Sequence, residues 1–398
     1  MPERSDLSEL LRRHRVLICV GSGGVGKTTV AAALSLLAAR RGLRTLCLTI
    51  DPARRLASSL GISAFPREEL QISDEFLNGH GVKLAAPLKV MMLDAQATFD
   101  SLIQKFASTP AAAAKICQHR VYRHLSENLA ATQAYMAMEK VLEVIQDESY
   151  DLIVLDTPPS AQALAFFDAP QKMSEILASP ATRALSRVVG APGVRTGGVL
   201  ASGLRHAMKA LERVTGAGLI VEVSELISQM SSLLQGFEER AERVQSSLRS
   251  EAFGYVVVTT PSQVSLHGAR DLGESMRSRE LKLDAVVFNR VAQDGLFDAT
   301  PEDTIGAPLD DLVGLTQAAR RVIVERAHAQ AKQHRRDIER CEQFLSELDP
   351  SVLAALLPAF ADDVHQPERL MHVGELLVGE QSYFAPLARK YRRSGTES

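Results

Sequence analysis

The run Gly21-Ser22-Gly23-Gly24-Val25-Gly26-Lys27-Thr28-Thr29 holds the residue types that grip a chain of phosphates. It has the spacing of a glycine, four variable residues and Gly-Lys-Thr, directly after the apolar string Val16–Val20 and at the start of a helical stretch. The glycines at 21, 23, 24 and 26 let the backbone turn tightly and aim amide hydrogens at phosphate oxygens. The opening of the helix adds positive partial charge for the anion. Lys27 is placed to carry an ammonium to the β and γ phosphates, Thr28 to offer a hydroxyl to Mg²⁺, and Thr29 to reach the α phosphate. A glycine-rich turn that merely contains a lysine is the plainer alternative; motif and context together favour nucleotide binding. Further candidates end buried strings: Asp51 after Thr45–Ile50, Asp156 after Leu152–Leu155, and Asn289 after Ala285–Phe288. Each by itself is also an ordinary turn residue.

These residues need a frame that brings strand ends together. Apolar strings without alternation recur at Val16–Val20, Thr45–Ile50, Val90–Leu93, Leu152–Leu155, Tyr255–Val258 and Ala285–Phe288. That is how strands buried on both faces of a parallel sheet read. Lys27–Arg41 reads as a helix closed by Gly42, so the first two strings form a βαβ unit. The expected fold is α/β, a phosphate-loop nucleotide-binding domain with a mainly parallel, doubly wound sheet and an inserted helical subdomain. The expected divisions are a core over 15–98, a helical insertion over 99–146, core with a switch segment over 147–164, a second helical stretch over 165–250, and the C-terminal core over 251–390. The second helical stretch contains a glycine-rich run, 190–203, and 315–348 reads as a charged outer helix.

Composition narrows the function classes. The 398 residues carry 45 Lys and Arg against 48 Asp and Glu, a net charge of -3, which argues against a general nucleic-acid binder and leaves no specific nucleic acid expected. Cys19, Cys47, Cys117 and Cys341 are scattered without a C-x-x-C pair, so neither a disulfide framework nor a structural zinc is expected. The N-terminal residues mix acids and bases without an apolar stretch, and no string approaches the roughly 20 apolar residues of a spanning helix. The expected location is the cytoplasm, or the periphery of a membrane.

The loop with its GGVGKTT resembles the deviant-Walker ATPases, and further matches narrow the resemblance to the arsenical-pump-driving and tail-anchored-protein-targeting ATPase family, in a bacterial branch. Asp51-Pro52-Ala53 resembles that family's switch I. The run from Leu88 to Ile103 resembles its strand ending in Asp before the first insertion. Tyr150 to Phe166 resembles its switch II, Val286 to Arg290 its adenine-reading strand, and Leu356 to Leu370 its C-terminal adenine loop. The run from Tyr122 resembles the bacterial branch, and the matches keep their order over nearly the whole chain.

The resemblance implies roles. Asp51 would orient or deprotonate the attacking water, with Lys27 as the second catalytic group. Asp156 would bond Thr28 or a Mg²⁺-bound water, so Thr28, Asp51 and Asp156 form the implied metal set. Thr157, Pro158, Pro159 and Ser160 would be the mobile switch II. Asn289 would offer an acceptor and a donor to adenine, with Pro358 beside it. No Asn-Lys-x-Asp run follows Val287 or Phe288, which favours ATP over GTP. The implied cofactors are ATP and Mg²⁺.

The chain also departs from the family. Ser22 stands where the family has a lysine that reaches across a dimer, and Arg54 or Arg55 is a candidate replacement, with solvated helix-start arginines the plainer account. The zinc-binding C-x-x-C of eukaryotic-type members is missing, and no cysteine trio for a metalloid is evident. In the insertion, Leu226, Met230, Leu233, Leu234 and Phe237 share one helical face, and Leu204, Met208 and Leu211 share another. Either stripe could line a groove for a client's membrane helix or simply pack as bundle core. The expectation is an ATPase that binds a hydrophobic or membrane-protein client, as a homodimer or a heterodimer with a paralogue. The alternatives are a subunit energising an anion or arsenite transporter, and a slow regulatory ATP-binding protein.

Overall fold

The computed structural model describes residues 7–50, 57, 60, 62, 68–107, 109–119, 122–123, 130–146, 148–158, 168, 239–293, 316–360, 364 and 366–378. Its elements run α1 (Ser8–Arg13), β1 (Val16–Val20), α2 (Lys27–Arg40), β2 (Thr45–Thr49), β3 (Leu70–Gln71), α3 (Asp74–Gly79), β4 (Leu88–Met92), α4 (Ala95–Phe106), α5 (Pro110–Gln118), α6 (Ala130–Gln146), β5 (Leu152–Asp156), β6 (Phe253–Thr259), α7 (Gln263–Ser278), β7 (Leu283–Val291), α8 (Gln317–Ser346), β8 (Leu353–Pro358) and α9 (Pro367–Val378). The chain divides into two compact units, one of 1–92, 149–163 and 251–398, the other of 93–148 and 164–250.

The first unit holds an eight-stranded sheet in the order β3-β4-β2-β5-β1-β6-β7-β8. Every pairing is parallel except β3 with β4. This is the α/β, mainly parallel sheet that the apolar strings imply. The order has a functional consequence. After β1 the chain crosses to β2, leaving a gap that β5 later fills; after β5 it emerges beside the opposite edge of β1 at β6. β1 therefore lies where the winding reverses, and its carboxyl end opens into the crevice that such sheets use for ligands.

Both faces of the sheet are covered, which is why the strands lack alternation. On one face α2 is buried nearly all round: Val30, Ala31, Leu34 and Leu37 pack with Leu17 and Cys19 of β1, Val154 of β5 and Val256 of β6. α9 closes over α2 so tightly that a Cβ at Gly374 would stand 2.9 Å from the Ala33 carbonyl oxygen. On the other face α7 buries Leu266, Ala269, Leu272 and Met276. Phe288 of β7 and Phe344 of α8 meet edge to face at 5.8 Å. Fully burying each such aromatic contributes about 1.5–3 kcal/mol.

The second unit is helical among its described residues. Asp94 and Thr109 cap α4 and α5, accepting from Ala97 N at 2.9 Å and Ala112 N at 3.1 Å. The Tyr122 ring lies tilted against Phe99, centroids 5.2 Å apart, and its hydroxyl donates to Asp100 Oδ1 at 2.5 Å. Glu139 of α6, 1% exposed, is held by a guanidinium fork from Arg240 and by the Tyr135 hydroxyl, while Arg240 also lies over the Phe106 ring at 4.8 Å. A buried carboxylate needs such partners, because solvation lost on burial is regained only through them. Among the described residues no helix is long and apolar enough to cross a membrane.

Candidate functional site

The phosphate loop begins where β1 ends. Gly21 is pinned in the cleft between β1 and β6: a Cβ there would fall 2.1 Å from the Val258 carbonyl oxygen. Val25, 2% exposed, anchors the loop's far side in the core. Gly26 then opens α2 with φ of 98° in the left-handed region, and a Cβ on it would overlap Asn289 Nδ2 at 2.1 Å. Only glycine meets both demands at that position.

Lys27, 7% exposed, is the first residue of α2, and its Nζ donates to the Ser22 carbonyl at 2.9 Å. The loop's own backbone therefore holds the ammonium over the turn, at the positive end of the helix. One residue on, Thr28 Oγ1 donates to Asp156 Oδ2 at 2.8 Å. Asp156 is the last residue of β5, 1% exposed, and pairs with Cys19 on one side and Thr49 on the other. Thr49 Oγ1 also donates to Asp156 Oδ2, at 3.2 Å. Two hydroxyls thus converge on one buried carboxylate oxygen and fix its orientation. Thr157 Oγ1 donates to the Cys19 carbonyl at 2.7 Å, tying the residue after β5 to β1.

These residues fit Mg²⁺. It is a hard cation that takes oxygen ligands and keeps several waters. Thr28 would supply its hydroxyl, and Asp156 would fix that hydroxyl or a bound water; the ion's chemistry there is to neutralise charge on the phosphate oxygens.

Asn289 lies near the end of β7, 8% exposed, and its Nδ2 donates to the Val25 carbonyl at 2.8 Å. Its Oδ1 accepts from Arg290 N at 2.9 Å, at an irregularity within β7 where Arg290 takes a left-handed φ of 59°. The residue that the resemblance assigns to adenine is therefore bonded to the phosphate loop. Pro358 ends β8 opposite Val291, and Ala359 N donates to the Val291 carbonyl at 2.8 Å, so Asn289 and Pro358 sit on adjacent strand ends.

Of the sequence candidates, Gly21 to Thr29, Asp156, Thr157, Pro158, Asn289 and Pro358 fall at the carboxyl ends of neighbouring strands of one sheet. Asp51, Arg54, Arg55, Pro159, Ser160 and the stripes Leu226, Met230, Leu233, Leu234, Phe237 and Leu204, Met208, Leu211 lie outside the described residues. Ile50, just before Asp51, donates its N–H to the Asp156 carbonyl at 3.2 Å. Sequence reading passed over Thr49, whose signal was a hydroxyl at the end of an otherwise apolar strand.

Burial silences the core thiols. It pushes Cys47 up to about 12 and raises Cys19 and Cys341 well above the ordinary thiol range, with Asp156 adding to the effect at Cys19. Cys117, less enclosed, is pushed up to about 11, first by burial and then by Asp100. Among the described residues no group of three or more His, Cys, Asp or Glu is placed to hold a metal ion.

Glycine amides, a lysine at a helix start and a threonine–aspartate pair at a sheet's winding reversal define a phosphate-loop nucleotide-binding protein. A family model described as anion-transporting ATPase matches residues 14–301. The chain belongs to that family and is an ATPase. It is 26% identical over 299 residues to an uncharacterized protein of Streptomyces coelicolor, covering 74% of this chain and 66% of that one, just under two thirds. It is 22% identical over 360 residues to the Aspergillus terreus protein named ATPase get3, covering 90% of this chain and 88% of that one. An Aquifex aeolicus protein named for driving an arsenical pump is 26% identical over 164 residues, 40% of this chain and 39% of its own.

Proposed function

We propose that the chain hydrolyses Mg-ATP to ADP and phosphate and couples that cycle to binding a hydrophobic or membrane-protein client, in the manner of the tail-anchored-targeting ATPases. The observation that carries the chemistry is the bond from Thr28 to the buried Asp156 beside the Lys27 ammonium. In the cycle, Lys27 and the loop amides would hold the phosphates, Thr28 would supply a hydroxyl to Mg²⁺ with Asp156 fixing that hydroxyl or a bound water, and Asp51 would position or deprotonate the attacking water. Asn289 carries contact from the base side of the site to the phosphate loop through Val25. Asp156 continues directly into the switch segment, so a change at the phosphates has a covalent path toward 164, where the second unit resumes.

The client reading is supported by the apolar residues that recur at helical spacing in the sequence from Leu226 to Phe237 and by the resemblance to get3 ATPases over most of the chain. A dimer, homomeric or with a paralogue, and work in the cytoplasm at the edge of a membrane belong to the same proposal. A second reading, an energising subunit for an anion transporter, is favoured by the family description and by the name of the Aquifex relative. Protonated core thiols count against a thiolate site for a soft metalloid.

Replacing Asp51 by Asn separates the steps. Phosphate release should stop while Mg-ATP affinity is kept, and the ATP-held variant should keep a labelled apolar transmembrane peptide in solution. Normal turnover by Asp51→Asn would remove Asp51 from the mechanism. Peptide precipitation in the presence of ATP-held protein would remove the client reading.

A further inference from the structure

Both ends of the Asn289 amide are engaged within the chain. Nδ2 donates to the Val25 carbonyl at 2.8 Å and Oδ1 accepts from Arg290 N at 2.9 Å. A side-chain amide has two hydrogens and two acceptor sites, so one of each is committed before any base arrives. The first of these bonds lands on the phosphate loop itself. Val25 and Gly26 share a planar trans peptide, so a fixed carbonyl also fixes the Gly26 N–H, which points the opposite way, away from Asn289. Gly26 leaves room for this approach: a Cβ on it would stand 2.1 Å from Nδ2.

The side chain that holds the loop is itself held. Phe288, just before it, is fully buried and pairs with Thr259 on one side and Leu356 on the other. Beyond it, the Val291 carbonyl accepts from Ala359 N at 2.8 Å. Ala292 is gripped by α8, its N–H donating to Asp337 Oδ2 at 3.1 Å and its carbonyl accepting from His334 Nδ1 at 2.6 Å. At the loop end the Val25 side chain is 2% exposed and packed in the core. The bond therefore joins two fixed stretches of backbone, and it is buried, so breaking it strands a donor and an acceptor away from water.

We propose that Asn289 is a positioning residue of the phosphate loop: its amide fixes the Val25–Gly26 peptide and so sets the direction of the Gly26 N–H that the phosphates would meet. The inference rests on the Mg-ATP-binding reading above and goes beyond it, because it gives Asn289 a part in holding phosphate that does not pass through the base.

A ligand with phosphates and no base separates the two roles. Mg-ATP affinity is measured by calorimetry, and Mg-tripolyphosphate as a competitor of Mg-ATP, in the wild type and in Asn289→Leu, which is close in volume and has no donor. The variant should bind tripolyphosphate roughly three- to tenfold more weakly, the factor of one neutral hydrogen bond, with unchanged stoichiometry. A loss of folded protein would lower the stoichiometry and leave the affinity alone. Weakening of tripolyphosphate supports the proposal, whatever further loss ATP shows. Unchanged tripolyphosphate affinity overturns it, even where ATP weakens, since Asn289 then serves the base alone. Failure of tripolyphosphate to displace ATP from the wild type overturns it as well. Should Asn289→Leu fail to fold, Asn289→Ala removes the same donor without filling the space and is read in the same way. Absence of Mg-ATP uptake by the wild type is a different result, which removes the binding reading itself.

Discussion

Asp156→Asn should trade function for stability. The carboxylate is 1% exposed, and its Oδ2 accepts from Thr28 at 2.8 Å and from Thr49 at 3.2 Å. An amide oxygen can accept both hydroxyls, so the bonds persist in weakened form. A bond to a charged acceptor contributes about 1.5–3 kcal/mol and a neutral one about 0.5–1.5, so two exchanges cost about 2–3 kcal/mol. Against this, a neutral amide escapes the desolvation cost of a buried ion, several kcal/mol. The thermal midpoint should stay level or rise. The cation site loses instead. Thr28 and any metal-bound water would meet a neutral acceptor in place of a charged one, a bond about half as strong. The Mg²⁺-dependent part of ATP affinity should therefore fall by about 1–1.5 kcal/mol or more, roughly tenfold. Titration calorimetry with ATP plus Mg²⁺, and with ATP plus chelator, isolates that part; scanning calorimetry gives the midpoint. An unchanged Mg²⁺-dependent affinity would refute the reasoning, and so would a midpoint that collapses.

Two further outcomes follow from other parts of the molecule. With its thiol pushed up to about 11, Cys117 should react with a disulfide reagent at pH 8 roughly a hundredfold more slowly than an unperturbed thiol, the rate rising about tenfold per pH unit toward 11; an ordinary rate at pH 8 contradicts the environment described. Arg240→Ala strands Glu139 in the interior of the helical unit and should cost about 3–5 kcal/mol, seen as early amide exchange in α6. Replacing Arg240 and Glu139 together by Met and Leu should recover most of that loss, and a single variant as stable as the wild type would show the pair to be idle.

Much of the sheet was legible because its strands are buried on both faces and read as unbroken apolar strings. Val16–Val20 is β1 to the residue, and the other five strings each overlap a strand, with edges shifted by up to three residues. β3 was not legible: two residues paired antiparallel at the edge carry no periodicity. β8 was passed over because Pro358 and the acids after it read as a loop, although Leu353–Leu357 is as apolar as its neighbours. The phosphate loop could be read because its chemistry is local in sequence. The contacts that fix it are not local. Thr49 reaches Asp156 across 107 positions and Asn289 reaches Val25 across 264, and no pattern of spacing announces either.

The account stands on one arrangement, a buried lysine at the start of α2 held over a glycine turn, with Thr28 bonded to Asp156. Calorimetric titration of Mg-ATP into the wild type and into Lys27→Met tests it most directly. The account predicts saturable uptake by the wild type and at least about a hundredfold weaker uptake by the variant, since the ammonium's contribution to a phosphate chain is of order 3 kcal/mol. Equal uptake by the two proteins would contradict it.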